Sequence, residues 1–226
     1  MRNPSLKPAA ALDIEHGLPG GERFQATLDG RRAVYLPGCQ SLLVADLHWG
    51  KGETFRKHGI PIPDALLLSD LRRLSALIDD YQPQRLLVLG DLIHGVAGLT
   101  EGLDRTILEW RSEHGLPIVL IAGNHDRSIE KVADRWGIQV IKESLEEMPF
   151  AFSHEQLTGG FFNWSGHVHP AIRLAGRVDS MRFSCFHFNR YGATLPAFSE
   201  FSGGFNIQPN AEDRVFALSD GLVIPL

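Results

Sequence analysis

Three short apolar runs, at 41–46, 85–89 and 117–122, constrain this chain more than any other feature. Each ends in residues that bind metals or carry protons: Asp46-Leu47-His48, Gly90-Asp91, and Gly123-Asn124-His125-Asp126. Between the runs lie segments of helical periodicity. Pro63 opens one over 63–80, where Leu67, Leu71, Leu74 and Ile78 share a face and Arg72, Arg73 and Asp79 lie on the other side. Leu103, Ile107, Leu108 and Trp110 mark a second over 101–114. Strands that are apolar throughout, alternating with helices, predict a parallel sheet covered on both faces. Ligands gather at the carboxyl ends of such strands. Parallel neighbours would therefore set the three polar clusters side by side on one edge.

The flanking segments read differently. Residues 1–30, rich in Pro, Gly and charge, predict a mobile lead-in and an edge strand. Residues 33–36 form a further strand before the Pro37-Gly38 turn. After a short helix near 128–136, short strands are expected at 139–141, 149–153, 161–165, 171–174, 182–188, 194–197 and 215–219. Glycines and polar turns separate them, which predicts a second, mixed or antiparallel sheet packed on the first within one domain spanning 1–226. Hydrophobic residues make up 43% and charged residues 22% of the chain, a globular mixture rather than a disordered one. No window reaches the roughly 18 apolar residues of a membrane helix, and 1–11 carries no secretory pattern. Two cysteines, Cys39 and Cys185, cannot build a disulfide framework or a thiolate cluster alone, so a reduced cytoplasmic setting and a buried apolar role are expected for them. The net charge of −5 argues against a broad duplex-wrapping surface and leaves a local basic groove open.

The second half adds Ser153-His154-Glu155 and Gly166-His167-Val168-His169-Pro170. Two histidines two apart on an extended segment put both imidazoles on one side. Asp, Asn and neutral His suit divalent ions of intermediate hardness, such as Mn²⁺, Fe²⁺ or Zn²⁺. Seven such donors exceed what one ion takes and suit two ions if a carboxylate bridges. Each motif alone has a bland explanation, an Asp as helix cap or Gly-Asn-His-Asp as a turn; the ordered set does not.

That ordered set, from 46 to 169, resembles the calcineurin-like metallophosphoesterases. The resemblance implies a two-sheet β-sandwich flanked by helices, in four layers α/β/β/α. It implies that Asp46, His48 and His169 hold one metal, that Asp91 bridges, and that Asn124, His154 and His167 hold the other. It places His125 at the leaving group, paired with a carboxylate for which Asp126 is nearest in sequence. The implied reaction is phosphodiester hydrolysis by a metal-bridging hydroxide, with two divalent ions, Mn²⁺ first among them.

A narrower resemblance covers most of the chain. Asp46–Lys51, Phe55-Arg56, Gly59-Ile60-Pro61, Gly90–His94, Gly123–Arg127, Gly166–Pro170, Leu195–Phe198 and Phe201–Gly204 are similar to the bacterial ligase-associated DNA damage response endonucleases. It implies a DNA substrate in repair, with ligase, helicase-like and exonuclease-like partners. Trp49, where a smaller aliphatic residue is expected, would alter the mouth of the site. Arg56 and Arg127 either bind phosphate oxygens or form solvated ion pairs, and His94 either contacts a phosphate or caps its loop. Lys51 packs locally or screens the carboxylates. Arg173, Arg177, Arg182 and Arg190 either line a groove or sit on exposed strand faces. Leu195–Phe198, Phe183, Phe186 and Phe188 read as sheet core. Two alternatives stand beside the nuclease: a phosphoesterase for nucleotides or nucleotide-linked precursors, and a non-catalytic adaptor in a repair complex.

Overall fold

The computed structural model describes residues 11–18, 21–62, 65–175 and 180–226. Seven strands form the first sheet in sequence order: β1 (Ala11–Gly17), β2 (Arg23–Asp29), β3 (Ala33–Leu36), β4 (Ser41–Val44), β5 (Arg85–Leu89), β6 (Ile118–Ile121) and β7 (Ile138–Ile141). The expected parallel sheet is its second half only. β4 to β7 run parallel, because helices connect them, while β1 to β4 form an antiparallel meander with β1 at the edge. The expected lead-in at 1–10 lies outside the described residues.

The crossovers carry α1 (Lys51–Lys57), α2 (Ala65–Tyr81), α3 (Glu101–Glu113) and α4 (Ala133–Trp136). Pro63, expected to open α2, lies outside the described residues. α2 buries Leu71, Leu74, Leu77 and Ile78, and α3 buries Leu103, Ile107 and Trp110, as their periodicity requires. Thr100 caps α3, accepting from the Leu103 amide at 3.2 Å.

The second sheet has nine strands: β8 (Ser144–Glu147), β9 (Phe150–Ser153), β10 (Phe162–Ser165), β11 (Pro170–Ala175), β12 (Ser180–Asn189), β13 (Gly192–Thr194), β14 (Phe205–Asn206), β15 (Arg214–Ser219) and β16 (Leu222–Pro225). It is mixed: β9, β10 and β13 run parallel, and most other pairs antiparallel. The strand near 139–141, expected in this sheet, instead closes the first one as β7, because α4 returns the chain beside β6. The two mixed sheets flanked by helices form the expected sandwich.

Alternation along β4 to β6 divides the core into two layers. Leu42, Val44, Leu86, Val88 and Leu120 face the helices, together with Trp49, Trp110 and Trp136. Leu43, Leu87, Leu89, Val119 and Ile121 face the second sheet, against Phe150, Phe152, Phe162, Trp164, Phe186 and Phe188. Burying a side chain of this size is worth about 1.5–3 kcal/mol, so the layers fix how the sheets stack. Leu195 and Phe198 are fully buried, as expected of core, and Cys185 is buried while Cys39 is half-buried.

Trp49 departs from expectation. Its side chain is core: it is 2% exposed, with its ring 6.0 Å from both Trp110 and Trp136. Its amide donates to Leu92 O at 2.7 Å, which continues the β4–β5 pairing and turns the indole into the helix layer.

Candidate metal centre

The carboxyl ends of five strands meet at one place. β4 delivers Asp46 and His48, β5 delivers Asp91 and His94, and β6 delivers Asn124 and His125. β9 delivers His154, and β10 delivers His167 and His169. Short hydrogen bonds stitch these ends: Asp46 N to Gly90 O at 3.1 Å, His48 N to Asp91 O at 2.9 Å, and Gly166 N to His154 O at 3.0 Å.

The backbone there is held in unfavourable conformations. Asp46, His48, Asp91, His167 and His169 have φ of 55°, 50°, 51°, 67° and 50°. Left-handed geometry costs a non-glycine residue about 1–3 kcal/mol and clusters where function demands it. Glycines make the close approach possible. A Cβ on Gly123 would lie 2.2 Å from Asp91 Oδ1, and one on Gly90 1.9 Å from His154 Nδ1.

The donor atoms converge in three overlapping groups, one of them the imidazoles of His48, His94 and His125. The donor atoms of Asp46, His48 and His169 lie within 4.8 Å of one another, and so do those of Asp46, Asp91 and His154. Asp46 is the carboxylate common to these two groups, while Asp91, the expected bridge, joins the latter. Around His154 Nε2 stand His167 Nδ1 at 2.9 Å, Asn124 Oδ1 at 3.0 Å and Asp91 Oδ1 at 3.6 Å. His48 Nδ1 is buried without a hydrogen-bond partner among the described residues. Burial, then the nearby charges of Lys51 and the neighbouring histidines, push the His48 pKa down to about 2. That keeps the ring neutral, the form that ligates. Burial lowers the pKa of His169, but its hydrogen bond to Asp46 and the Asp46 charge outweigh that and raise it. This nitrogen- and oxygen-rich donor set fits divalent ions of intermediate hardness.

Backbone amides orient the carboxylates. His167 N donates to Asp46 Oδ2 at 3.0 Å, and His125 N to Asp91 Oδ1 at 2.9 Å. His154 Nδ1 lies 3.2 Å from Leu89 O, and His169 Nδ1 3.0 Å from Gly203 O. Such contacts fix which ring nitrogen faces the centre.

The expected pairing of His125 with Asp126 is not formed. Asp126 is buried and accepts from the amides of Ile93 at 3.0 Å and Gly123 at 2.8 Å, tying the loop after β5 to the loop after β6. Burial raises its pKa to about 6, against the pull of those amides. The His125 ring instead places Nδ1 3.2 Å from His94 O and Nε2 4.0 Å from Asp91 Oδ2. The His125 and His94 rings stack at 5.0 Å and 16°, and Phe55 stacks on His94 at 6.3 Å and 26°. Burial, then the charges of Lys51 and His125, lower the His94 pKa.

Of the remaining cations, Arg56 donates to Ile62 O at 2.7 Å and pairs with Glu53 at 2.9 Å, holding α1 to the loop that follows. Arg127 is exposed and has no ion-pair partner among the described residues. Lys51 Nζ sits 5.5 Å over the Phe201 ring. Sequence reasoning gave no role to Asn163, which is buried against Ser153, the residue before His154. Its side chain donates to Ser153 Oγ at 2.9 Å and Ala151 O at 3.1 Å and accepts from the Leu157 amide at 2.9 Å. No local pattern distinguishes it from a strand residue facing solvent. Phe55 and Phe201, noted only as parts of a motif, prove to pack beside the centre, their rings 5.5 Å apart.

Residues 41–217 match the family model described as calcineurin-like phosphoesterase, and the chain belongs to that family. It is a metal-dependent phosphoesterase whose fold and centre are those just described. Among solved structures it is similar to the nuclease MPE of Pseudomonas putida, at 32% identity and a TM-score of 0.81 over 95% of this chain and 100% of that one. A phosphoesterase of E. coli, YfcE, is more distant, at 14% identity and a TM-score of 0.42 over 80% of this chain and 88% of that one. In sequence, 114 residues are 27% identical to a UDP-N-acetylglucosamine–N-acetylmuramyl-(pentapeptide) pyrophosphoryl-undecaprenol N-acetylglucosamine transferase of Yersinia pestis. That stretch is half of this chain but 28% of the transferase, whose chemistry is not carried over. Among the described residues no helix is long and apolar enough to cross a membrane.

Proposed function

We propose that the chain is a two-metal phosphodiesterase that cleaves nucleic acid strands, DNA in repair being the setting its subgroup resemblance implies. The observation that carries this is the convergence of seven N/O donors from five strand ends, five of them on left-handed backbone. The full-length similarity to a nuclease favours a nucleic acid over a free nucleotide. Asp46, His48 and His169 would hold one ion, and Asn124, His154 and His167 the other, with Asp91 between them. When bound, such ions supply Lewis acidity to the phosphoryl oxygens and lower the pKa of a water. Mn²⁺ suits four histidines, two aspartates and an asparagine better than Mg²⁺, which prefers oxygen shells.

The protein's own groups do the rest. The His94 carbonyl holds the proton on His125 Nδ1, so Nε2 is the nitrogen that faces the substrate. Protonated at both nitrogens, the ring would give its Nε2 proton to the departing alkoxide and be left as the neutral Nδ1–H tautomer that the His94 carbonyl holds. The stack on His94 and Phe55 keeps the ring in that orientation. Asp126 holds the loops on which His125 and Ile93 ride and leaves the proton transfer to the imidazole.

The test uses the Mn²⁺-reconstituted chain on labelled single-stranded DNA, duplex DNA, cyclic nucleotides and dinucleoside polyphosphates. Cleavage of a DNA strand at a kcat/KM well above that for the small molecules is the expected result. Preference for a nucleotide would replace this proposal with the small-molecule one, and no turnover of any ester would replace it with the adaptor.

A further inference from the structure

Next to the centre the second sheet extends a three-stranded ribbon, β14–β11–β12, with an unusual charge arrangement. β11 begins at Pro170, immediately after His169. Arg173 on β11 lies directly opposite Arg182 on β12. Both are exposed. Like charges facing each other across a ladder destabilise it.

Neither guanidinium has its charge met among the described residues. Arg173 Nη1 donates to Ser180 Oγ at 2.8 Å, and Arg182 Nη1 to Gly204 O at 3.2 Å, both neutral acceptors. Elsewhere Arg23, Arg31, Arg73, Arg85 and Arg135 each pair with a carboxylate. Arg127 likewise lacks an ion-pair partner among the described residues, so what sets this pair apart is the register that holds two unneutralised guanidinium groups face to face. Of the other arginines grouped with these in sequence, Arg177 lies outside the described residues, and Arg190 is occupied against the Tyr191 ring at 4.5 Å.

The pair is physically continuous with the centre. Gly204, which accepts from Arg182, adjoins Gly203, whose carbonyl holds His169 Nδ1. Along the strand Arg173 stands four residues beyond His169, about 13 Å at the usual strand rise. That distance spans about four phosphates at the 3.4 Å spacing of a stacked strand. A substrate cut at the metal centre would need several nucleotides to reach it.

We propose that Arg173 and Arg182 form a clamp for phosphates of the strand several nucleotides from the scissile bond. The ribbon thereby selects polymeric substrates over small esters. This rests on the nucleic-acid function proposed above. Guanidinium forks match phosphate oxygens in charge and geometry, and a bound phosphate between the two would remove the repulsion that the empty pair carries.

The experiment compares wild type, R173A/R182A and R173K/R182K, each Mn²⁺-reconstituted. The substrates are bis-p-nitrophenyl phosphate, a dinucleotide and a twenty-nucleotide single strand, assayed over a KCl series. For R173A/R182A the KM for the long strand should rise about tenfold or more. The slope of log kcat/KM against log salt should flatten by about 1.4, two single-strand phosphate contacts. The ester and dinucleotide, too short to reach the ribbon, should keep their kcat/KM within about twofold. R173K/R182K, which retains the charge, should recover most of the slope. If wild type cleaves the long strand and R173A/R182A matches it in KM and slope, the clamp alone is wrong. If R173A/R182A loses the ester in equal measure, the arginines support the centre itself and the clamp is overturned. If wild type neither binds nor cleaves the strand, the nucleic-acid function falls and the clamp with it.

Discussion

Gly123→Ala is the sharpest test of how the centre is built, because a single methyl group should disable it without replacing a metal donor. The added Cβ would stand 2.2 Å from Asp91 Oδ1 and 2.6 Å from Asp91 N, where ordinary contact begins at 3.4 Å. Gly123 is not in the left-handed region, so the effect is steric rather than conformational. Asp91 has little room to retreat. Its φ is 51°, its carbonyl accepts from His48 N, and Oδ1 accepts from His125 N. Relief requires the carboxylate or the β6 loop to move about 1.2 Å, and a 1 Å misplacement costs on the order of 10²-fold in rate. Overpacking of this kind costs about 1–3 kcal/mol, or roughly 2–12 °C in Tm for a chain of this size. The assay is metal content per chain, hydrolysis of bis-p-nitrophenyl phosphate, and a thermal scan on the same samples. Gly115→Ala, with nothing within 4 Å of its Cβ, is the matched control and should be silent. Gly123→Ala with full metal content and a rate within a few-fold of wild type would refute the account.

Three further outcomes are expected. His125→Ala should retain its metals and lose about 10²–10⁴-fold on a nucleotide diester but distinctly less on a nitrophenyl ester, whose leaving group needs no proton; equal losses, or loss of an ion, would make the residue a ligand or a phosphate-positioning group. Rates with Mn²⁺ should exceed those with saturating Mg²⁺, and His154→Ala should lose an ion and activity on both esters; equal rates with the two metals would count against the donor assignment. Far from the centre, His16 packs among Phe24, Phe162 and Phe188, and burial, then the Arg214 charge, lowers its pKa from 6.5 to about 4. The unfolded chain gains that proton below about pH 6.5 and the folded chain only near pH 4, so acidification through this window favours unfolding. His16→Phe should flatten the loss of Tm between those limits, and an unchanged profile would show that His16 is not its source.

The sequence revealed what depends on hydrophobic pattern and missed what depends on main-chain geometry. β4, β5 and β6 were legible because each is an apolar run between helical periods, and the polar residues after them pointed to one edge. α1 was not: its sequence, KGETFRK, buries no residue and has no apolar face. β14, two residues long, and β8, half-exposed, carry no alternation strong enough to read. Membership of β7 in the first sheet depends on where α4 turns the chain, which no pattern within 138–141 records. The donors were legible as residue types. Their spatial grouping was not, and neither was the absence of a His125–Asp126 contact, since Asp126 is consumed by two amides from separate loops.

That last contact explains how the centre divides its labour. Its two chief carboxylates are each oriented by a backbone amide next to another donor, Asp46 by His167 and Asp91 by His125, and Asp126 joins two loops by amides alone. Position is therefore carried by left-handed main chain and by glycines that admit it, while side chains are left to bind ions and move protons. The two kinds of damage should separate accordingly. Replacing a donor removes an ion but relieves local charge crowding, so the fold persists. Replacing a glycine beside a donor moves the main chain, and so costs the ion and stability together. A centre built this way keeps strain in the loops because the sandwich beneath, with Leu87, Leu89, Phe152 and Trp164 fully buried, is rigid enough to hold them.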